Sequence, residues 1–344
     1  MKELLKDSAR WFFWYPFRIA AYLFPLRVNY TLSNLIGFAS YHLMREKREL
    51  MRRELLNIFN RNMAKKDVAR IVNRGFSLIS KEKMEILLFP KLTPEKVKRQ
   101  SSVEGLNHLN EALRQKKGVI LLTSHFGNYR FVLAALGFRG YVMNQIGAPP
   151  TVWKKLEENV SKMKGRALEF ELACERSLPA EFIYYDTFMR PAFECLARNE
   201  VLVIAGDSVG EGRRIAVDFL NRTAQLSPGP FGLARKTGAP VLPVFVVRNK
   251  DNTHTVKIEE RISLANSEEK TKAEERGMKR FIQLLEHYVK KHADHYLKHL
   301  WWVQSRRHVD SVPFFDTSDT QLNPAINSAR RAGNEDSTNL TVTT

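Results

Sequence analysis

A short apolar run at 118–123, opened by Lys117 and Gly118, reads as a strand buried on both faces. Further strands are predicted at 141–146, 201–205, 215–219, 240–247 and 255–258. Helical stretches alternate with them at about 128–136, after Pro150, and at about 188–197 and 229–236. Alternating units of this kind imply an α/β fold with a mostly parallel central sheet covered by helices. Ahead of the sheet, 28–88 has a helical pattern in which basic stretches such as 45–53 separate apolar faces (Leu55, Leu56, Ile58, Phe59). Behind it, a long amphipathic helix at about 270–292 precedes Leu300, Trp301 and Trp302. No internal repeat is visible, and one domain is expected over 28–310. From 311 to 344 the chain turns to Ser, Thr, Asn, Asp and Arg, too poor in large apolar residues to offset ordering entropy, which predicts a disordered polar tail.

The first 27 residues have a different texture. Trp11, Phe12, Phe13, Trp14, Tyr15, Phe17, Tyr22 and Phe24 crowd together among Lys and Arg. Arg18 and Pro16 interrupt the apolar stretch, and no small-residue cleavage site follows, so a cleavable signal peptide is not expected. The stretch is also shorter and more polar than the about 20 apolar residues of a bilayer-spanning helix. Aromatic rings mixed with cations suit the membrane interface, so 1–27 are expected to lie on a membrane as amphipathic helices; packing on the body of the protein is the competing expectation.

Charge narrows the partners. With 55 Lys and Arg against 37 Asp and Glu, the formal net charge of +18 attracts anions: anionic lipid, an acidic carrier protein or nucleic acid. The cations are spread over several helices, with neither zinc-finger spacing nor an RNA-recognition signature, which argues against nucleic acid. The two cysteines, Cys174 and Cys195, support neither a disulfide framework nor a zinc site, and a reducing, cytoplasmic setting fits.

The sharpest local feature is the run from Thr123 through Ser124, His125, Phe126, Gly127, Asn128 and Tyr129 to Arg130. It puts a histidine just past a buried strand, the edge at which open α/β sheets bind ligands. Gly127 permits a tight turn, and Asn128 is expected to cap the following helix.

This run is similar to the His-x4-Asp/Glu motif of the lysophospholipid acyltransferase superfamily, in the His-Phe-Gly-Asn form of the lipid A lauroyl/myristoyl acyltransferase branch. The block 218–245, with Thr237, Gly238, Ala239 and Pro240, and Asp207 after the strand at 201–205, resemble further features of that branch in the same order. The resemblance covers roughly residues 20 to 308. It implies transfer of a fatty acyl group from acyl carrier protein, or from coenzyme A, to a hydroxyl of a lipid A precursor or a related glycolipid or lysolipid, at the cytoplasmic face of the inner membrane. It implies no metal or tightly bound cofactor. His125 would be the general base, with Asn128 and the helix start shaping the site.

One position departs from the family: Arg130 stands where the motif has its acid. Two like charges at about 4 Å and an effective dielectric of about 20 repel by about 4 kcal/mol, so an arginine facing His125 would oppose the imidazolium. Three readings follow. Arg130 turns away, to solvent or a substrate phosphate, and another carboxylate (Asp207, Asp186 or Glu211) orients the ring. Alternatively the donor or acceptor has changed, as in an aminoacyl transferase acting on a glycolipid. In the third, the chain is an inactive, lipid-binding pseudoenzyme.

Arg213, Arg214 and Arg222 are candidates for binding substrate phosphates, since guanidinium pairs bidentately with phosphate, although ordinary surface arginines would look the same. His292, His295 and His299 stand at spacings of three and four and invite a metal reading. Without a suitable carboxylate on the same face, a solvated or membrane-facing strip is the expectation.

Overall fold

In the second sheet strand, β2 (Val119–Thr123), every residue is buried. Successive side chains of a strand point to opposite faces. Ile120 and Leu122 accordingly enter one hydrophobic cluster, and Val119 and Leu121 the other. The computed structural model describes residues 2–152, 160–184, 189–208, 212–263, 269–306 and 313–316. Its strands are β1 (Ser101–Glu104), β2, β3 (Met143–Gly147), β4 (Glu181–Tyr184), β5 (Val201–Ala205), β6 (Ile215–Phe219), β7 (Arg222–Leu226), β8 (Val241–Arg248) and β9 (His254–Ile258). Seven of them form one sheet in the order β1-β9-β8-β2-β5-β3-β4. All neighbours are parallel except β8 and β9, so the expected α/β architecture is present.

The helices are α1 (Lys2–Phe12), α2 (Arg18–Leu23), α3 (Leu26–Leu43), α4 (Arg45–Ile58), α5 (Lys65–Leu88), α6 (Pro94–Gln100), α7 (Leu106–Arg114), α8 (Phe131–Gly137), α9 (Lys162–Arg176), α10 (Arg190–Ala197), α11 (Gly229–Thr237), α12 (Lys270–Lys291) and α13 (Leu297–Arg306). β6 and β7 make a separate antiparallel hairpin through Leu220 and Asn221, both at positive φ (53° and 62°). Two central residues at positive φ give the turn whose twist matches its strands.

The N-terminal aromatics divide between packed and exposed positions. A π-helical turn (Phe13–Phe17, containing Pro16) links α1 to α2. It lays Trp14 flat on Phe170 of α9, with ring centroids 5.9 Å apart. Trp11, Phe12, Ile19, Leu23 and Phe24 stay exposed, and α3 continues that apolar surface with Val28, Leu35, Ile36, Phe38 and Leu43. The inner face of α3 closes on α5 at Gly37, where a Cβ would lie 2.6 Å from the Cα of Ser77. No described helix is long and apolar enough to cross a membrane.

Several boundaries differ from the sequence reading. The helix expected from 128 starts at Phe131, because Ser124–Arg130 form an irregular turn. At its centre Gly127 adopts φ +59°, and a Cβ there would lie 2.3 Å from the carbonyl oxygen of Val246. The polar tail does not begin at 311: Pro313–Asp316 are described, with Phe314 and Phe315 buried and Phe315 bridged to Ala224 of β7. Two adjacent phenylalanines offer enough apolar area to hold this segment, which the polar average of the stretch concealed. Residues 317–344 lie outside the described residues.

Candidate functional site

β2 and β5 are adjacent and parallel, with Thr123 opposite Ala205. The Gly206 N–H donates to the Thr123 carbonyl (2.8 Å), carrying the pairing one residue past the strands. His125 and Asp207 each lie two residues beyond that matched pair, so register alone brings them together. Asp207 is fully buried, whereas the His125 side chain is 32% exposed. Oδ1 of Asp207 accepts from Nδ1 of His125 (2.8 Å). Oδ2 accepts from the His125 backbone N–H (2.8 Å) and the Tyr296 hydroxyl (2.9 Å).

Burial by itself would raise the Asp207 carboxyl. The adjacent imidazole of His125, that of His299 beyond it, and the hydrogen bonds from His125 outweigh it and hold Asp207 well below the usual carboxylate range. An ionised carboxylate only accepts, so the proton of neutral His125 sits on Nδ1 and leaves Nε2 as a free base. Of the three carboxylates considered from sequence, Asp207 is the one the structure brings to His125; Asp186 and Glu211 lie outside the described residues.

Arg130 turns away from His125. Its Nε lies 2.6 Å from Glu175 of α9 and its Nη1 3.3 Å from Glu82 of α5, with the guanidinium 4.7 Å from the Tyr129 ring centre. Lys298 also reaches Glu82 (2.6 Å), and Lys83 reaches Glu171 (2.7 Å). Three carboxylates thus face three cations beneath the site. Burial opposes the charge on Arg130, but Glu175, Tyr129, Glu82 and Glu171 together raise its pKa above the ordinary arginine value. The expectation that Arg130 meets solvent or a substrate phosphate is corrected: the nearby acids on α5 and α9 engage it.

Asn128 is not a helix cap. It is buried and donates from Nδ2 to Glu85 Oε2 (2.8 Å), because the turn at Gly127 directs it toward α5. Glu85 also receives Arg248 (2.6 Å), the Tyr30 hydroxyl (2.6 Å) and His254 (3.1 Å), which ties α3, α5 and the central strands together. Arg222 is buried against Glu54 (2.5 Å) and lies over the Phe315 ring, so it is a hairpin-to-α4 link where a phosphate ligand was expected. Arg213 pairs with Glu274 (2.8 Å) and Glu275 (3.2 Å) of α12. Arg214 is half-buried just before β6.

The expected solvated histidine strip is largely withdrawn from solvent: His292 is half-buried, and His295 and His299 are buried. A 3-10 turn, Ala293–His295, separates α12 from α13 and redirects the three side chains. His295 is buried, with Nδ1 3.0 Å from Asp294 and Nε2 accepting from the Arg248 N–H (3.0 Å). His299 is buried with its ring stacked on His125, centroids 4.6 Å apart and planes within 5°. His125, Asp207 and His299 have ligand atoms within 4.8 Å of one another, the spacing of a metal cluster. Imidazole lone pairs lie in the ring plane, however, so those of two stacked rings run side by side and do not converge on one ion. The sequence had not singled out Tyr296, and its signal was the spacing of three to His299, which puts both residues against Asp207.

Neutral buried imidazoles make the fold acid-sensitive. Burial lowers the pKa of His254 to about 4 against the pull of Glu85, and lowers that of His299 to about 3 against that of Asp207. In the unfolded chain both take a proton near pH 6.5. Stability is therefore complete above that pH and falls as the unfolded state gains protons that the fold refuses. The loss reaches about 3 kcal/mol per residue by pH 4. Urea midpoints measured between pH 7 and 4 should fall steadily, and a flat profile over that window would contradict it.

An imidazole held by a buried carboxylate can accept a proton, and comparison with known proteins places the chain in a family. Residues 2–307 match the family described as bacterial lipid A biosynthesis acyltransferase. The chain belongs to this family. It is also similar to phosphatidylinositol mannoside acyltransferase from two strains of Mycobacterium tuberculosis, each 27% identical over 165 residues, or 46% of this chain and 48% of the relative. The chain thus spans about half the length of the curated relatives it matches. The family match takes in α1 at one end and α13 at the other, so both His125 and the residues packed around Asp207 lie inside it.

Proposed function

We propose that this chain transfers an acyl group from a thioester donor to a hydroxyl of a glycolipid, with His125 as general base and Asp207 orienting it. The observation that carries this reading is the bond from His125 Nδ1 to a buried, ionised Asp207, which leaves Nε2 free at the strand-end edge of the sheet. The acceptor hydroxyl gives its proton to Nε2 as its oxygen attacks the thioester carbonyl. The tetrahedral intermediate then collapses, the C–S bond breaks, and the imidazolium returns the proton to the leaving sulfur. Asp207 stabilises the imidazolium without taking the proton, as in other base-and-orienter pairs. The intact pair supports this reading over an inactive lipid-binding protein, with Asp207 in the role of the carboxylate missing at 130.

Acyl carrier protein and coenzyme A are the candidate donors, and the basic surface favours the acidic carrier protein. A lipid A precursor and a mannosylated phosphoinositide are the candidate acceptors, the second from the name of the mycobacterial relatives. The apolar surface of α1, α2 and α3, with Trp11, Phe12, Leu23, Leu35 and Phe38 exposed, would lie on an anionic bilayer, which we place at the cytoplasmic face of the inner membrane.

The test is incubation of the protein with each thioester donor and with vesicles carrying each acceptor, followed by mass spectrometry of the lipids. The expected product is an acceptor with one acyl group in place of a hydroxyl hydrogen. Asp207→Asn should lower kcat by about 10⁴-fold with KM nearly unchanged, by analogy with other orienting acids. Unmodified acceptors with both donors, or an Asp207→Asn variant as fast as the parent, would refute the assignment.

A further inference from the structure

The hydrogen bond to Asp207 fixes one atom of the His125 ring; it does not by itself fix the plane in which Nε2 points. That plane is set by what lies against the ring. On one side Tyr129 approaches edge-on, with centroids 4.9 Å apart and planes at 69°. His299 lies flat against the ring and is itself enclosed. Trp302 stacks on it at 5.9 Å and 22°, Phe314 meets it edge-on at 5.6 Å, and Tyr296 is 5.1 Å away. The Arg306 guanidinium then lies 5.6 Å from the Trp302 ring centre, so a column of flat groups runs from the base toward the end of α13.

His299 is 4% exposed, and its Nε2 has no hydrogen-bond partner, standing 3.6 Å from Asp207 Oδ2. That distance is beyond a hydrogen bond. The carboxylate therefore serves His125 and Tyr296, while His299 contributes its flat face.

We propose that His299 is the positioning residue that sets the ring plane of His125 and so aims Nε2 at the acceptor hydroxyl. This rests on His125 being the base. The stack also explains why the segment at 313–316 is held: Phe314 closes the box around His299. The groups facing His125 are Asp207, Tyr296, His299 and Tyr129, with Lys298 and Arg130 one shell further out. Burial keeps His299 neutral, its pKa lowered to about 3, so it adds no positive charge beside the imidazolium formed during attack.

Two variants of the full-length protein separate plane-setting from space-filling. His299→Phe keeps a flat ring and loses both nitrogens; His299→Leu keeps volume and loses flatness. His299→Leu should lower kcat by about 10²-fold with KM within about two-fold, the cost of misaiming a catalytic group by about 1 Å, and His299→Phe should recover most of it. The second readout needs no turnover: in ¹⁵N-labelled protein the His125 ring nitrogens should keep their parent shifts in His299→Phe and move toward averaged values in His299→Leu. Should His299→Leu not fold, Trp302→Leu, which releases the far face of the stack, takes its place. Parent-like kcat and ring shifts in a folded His299→Leu would overturn the proposal, and so would equal losses in the Leu and Phe variants. If the parent transfers no acyl group, the assignment of function fails, and the ring shifts alone decide the role of His299.

Discussion

Replacing His125 by alanine is expected to lower acyl transfer by 10²- to 10⁴-fold, the span that one positioned base contributes, with association to anionic vesicles unchanged. The expectation follows from the division of labour in the molecule. The base stands at the strand-end edge on a turn whose backbone is independently fixed, by the His125 N–H to Asp207 and by the Gly127 N–H to the His295 carbonyl (3.0 Å). Removing the ring leaves both of those bonds. The exposed apolar residues proposed to meet the vesicle are on α1, α2 and α3 and take no part in the dyad. Turnover and vesicle co-sedimentation, measured on the same preparation, check both halves. Parent-like turnover in His125→Ala would remove the base from the mechanism.

The second large effect concerns stability. Arg130→Met is expected to destabilise the fold by about 3–5 kcal/mol, since removing one partner of a buried ion pair leaves the other charge uncompensated. Glu82 and Glu175 are both buried, and without Arg130 the cluster would lose the cation that Glu175 pairs with and one of those on Glu82, keeping Lys298 on Glu82 and Lys83 on Glu171. Arg130→Glu restores the acid of the family motif by name but adds a fourth carboxylate to the same cluster. It should therefore destabilise further and give no gain in kcat, because the place beside the His125 Nδ1 is already taken by Asp207. Urea titration of the parent and both variants checks this. A stable, faster Arg130→Glu would mean that position 130 belongs to the dyad after all.

What was legible in the sequence follows from locality. β2, β5 and β8 were readable because strands buried on both faces are continuous apolar runs, and the turn after β2 could be located because glycine follows it. β1, with the burial pattern of a mostly exposed edge, has no such run, and β4 offers only the short stretch Phe182, Ile183 and Tyr184; both were missed. So was β7, whose turn begins with Leu220 where a hairpin signal would show Gly or Asn. In the site, Asp207 could be named because the family resemblance pointed to an acid just past the strand at 201–205, although Asp186 and Glu211 stayed open beside it. The partners of Arg130 could not: Glu82 lies 48 residues before it and Glu175 arrives on another helix, so nothing local distinguishes a buried arginine from a solvated one. His299 was misread for a related reason. The helical spacing that groups it with His292 and His295 holds only for an unbroken helix, and the turn at Ala293–His295 breaks it.

Because base and acid follow neighbouring strands at positions 82 apart in sequence, neither is useful until β2 and β5 lie side by side in one register. A slip of a single residue would swap the faces of every side chain on the strand and send the imidazole to the wrong layer. The proposed acyl transfer should thus be a strict reporter of correct refolding: collapsed chains with native-like helix content but unpaired central strands would look folded by circular dichroism and would be silent in an assay.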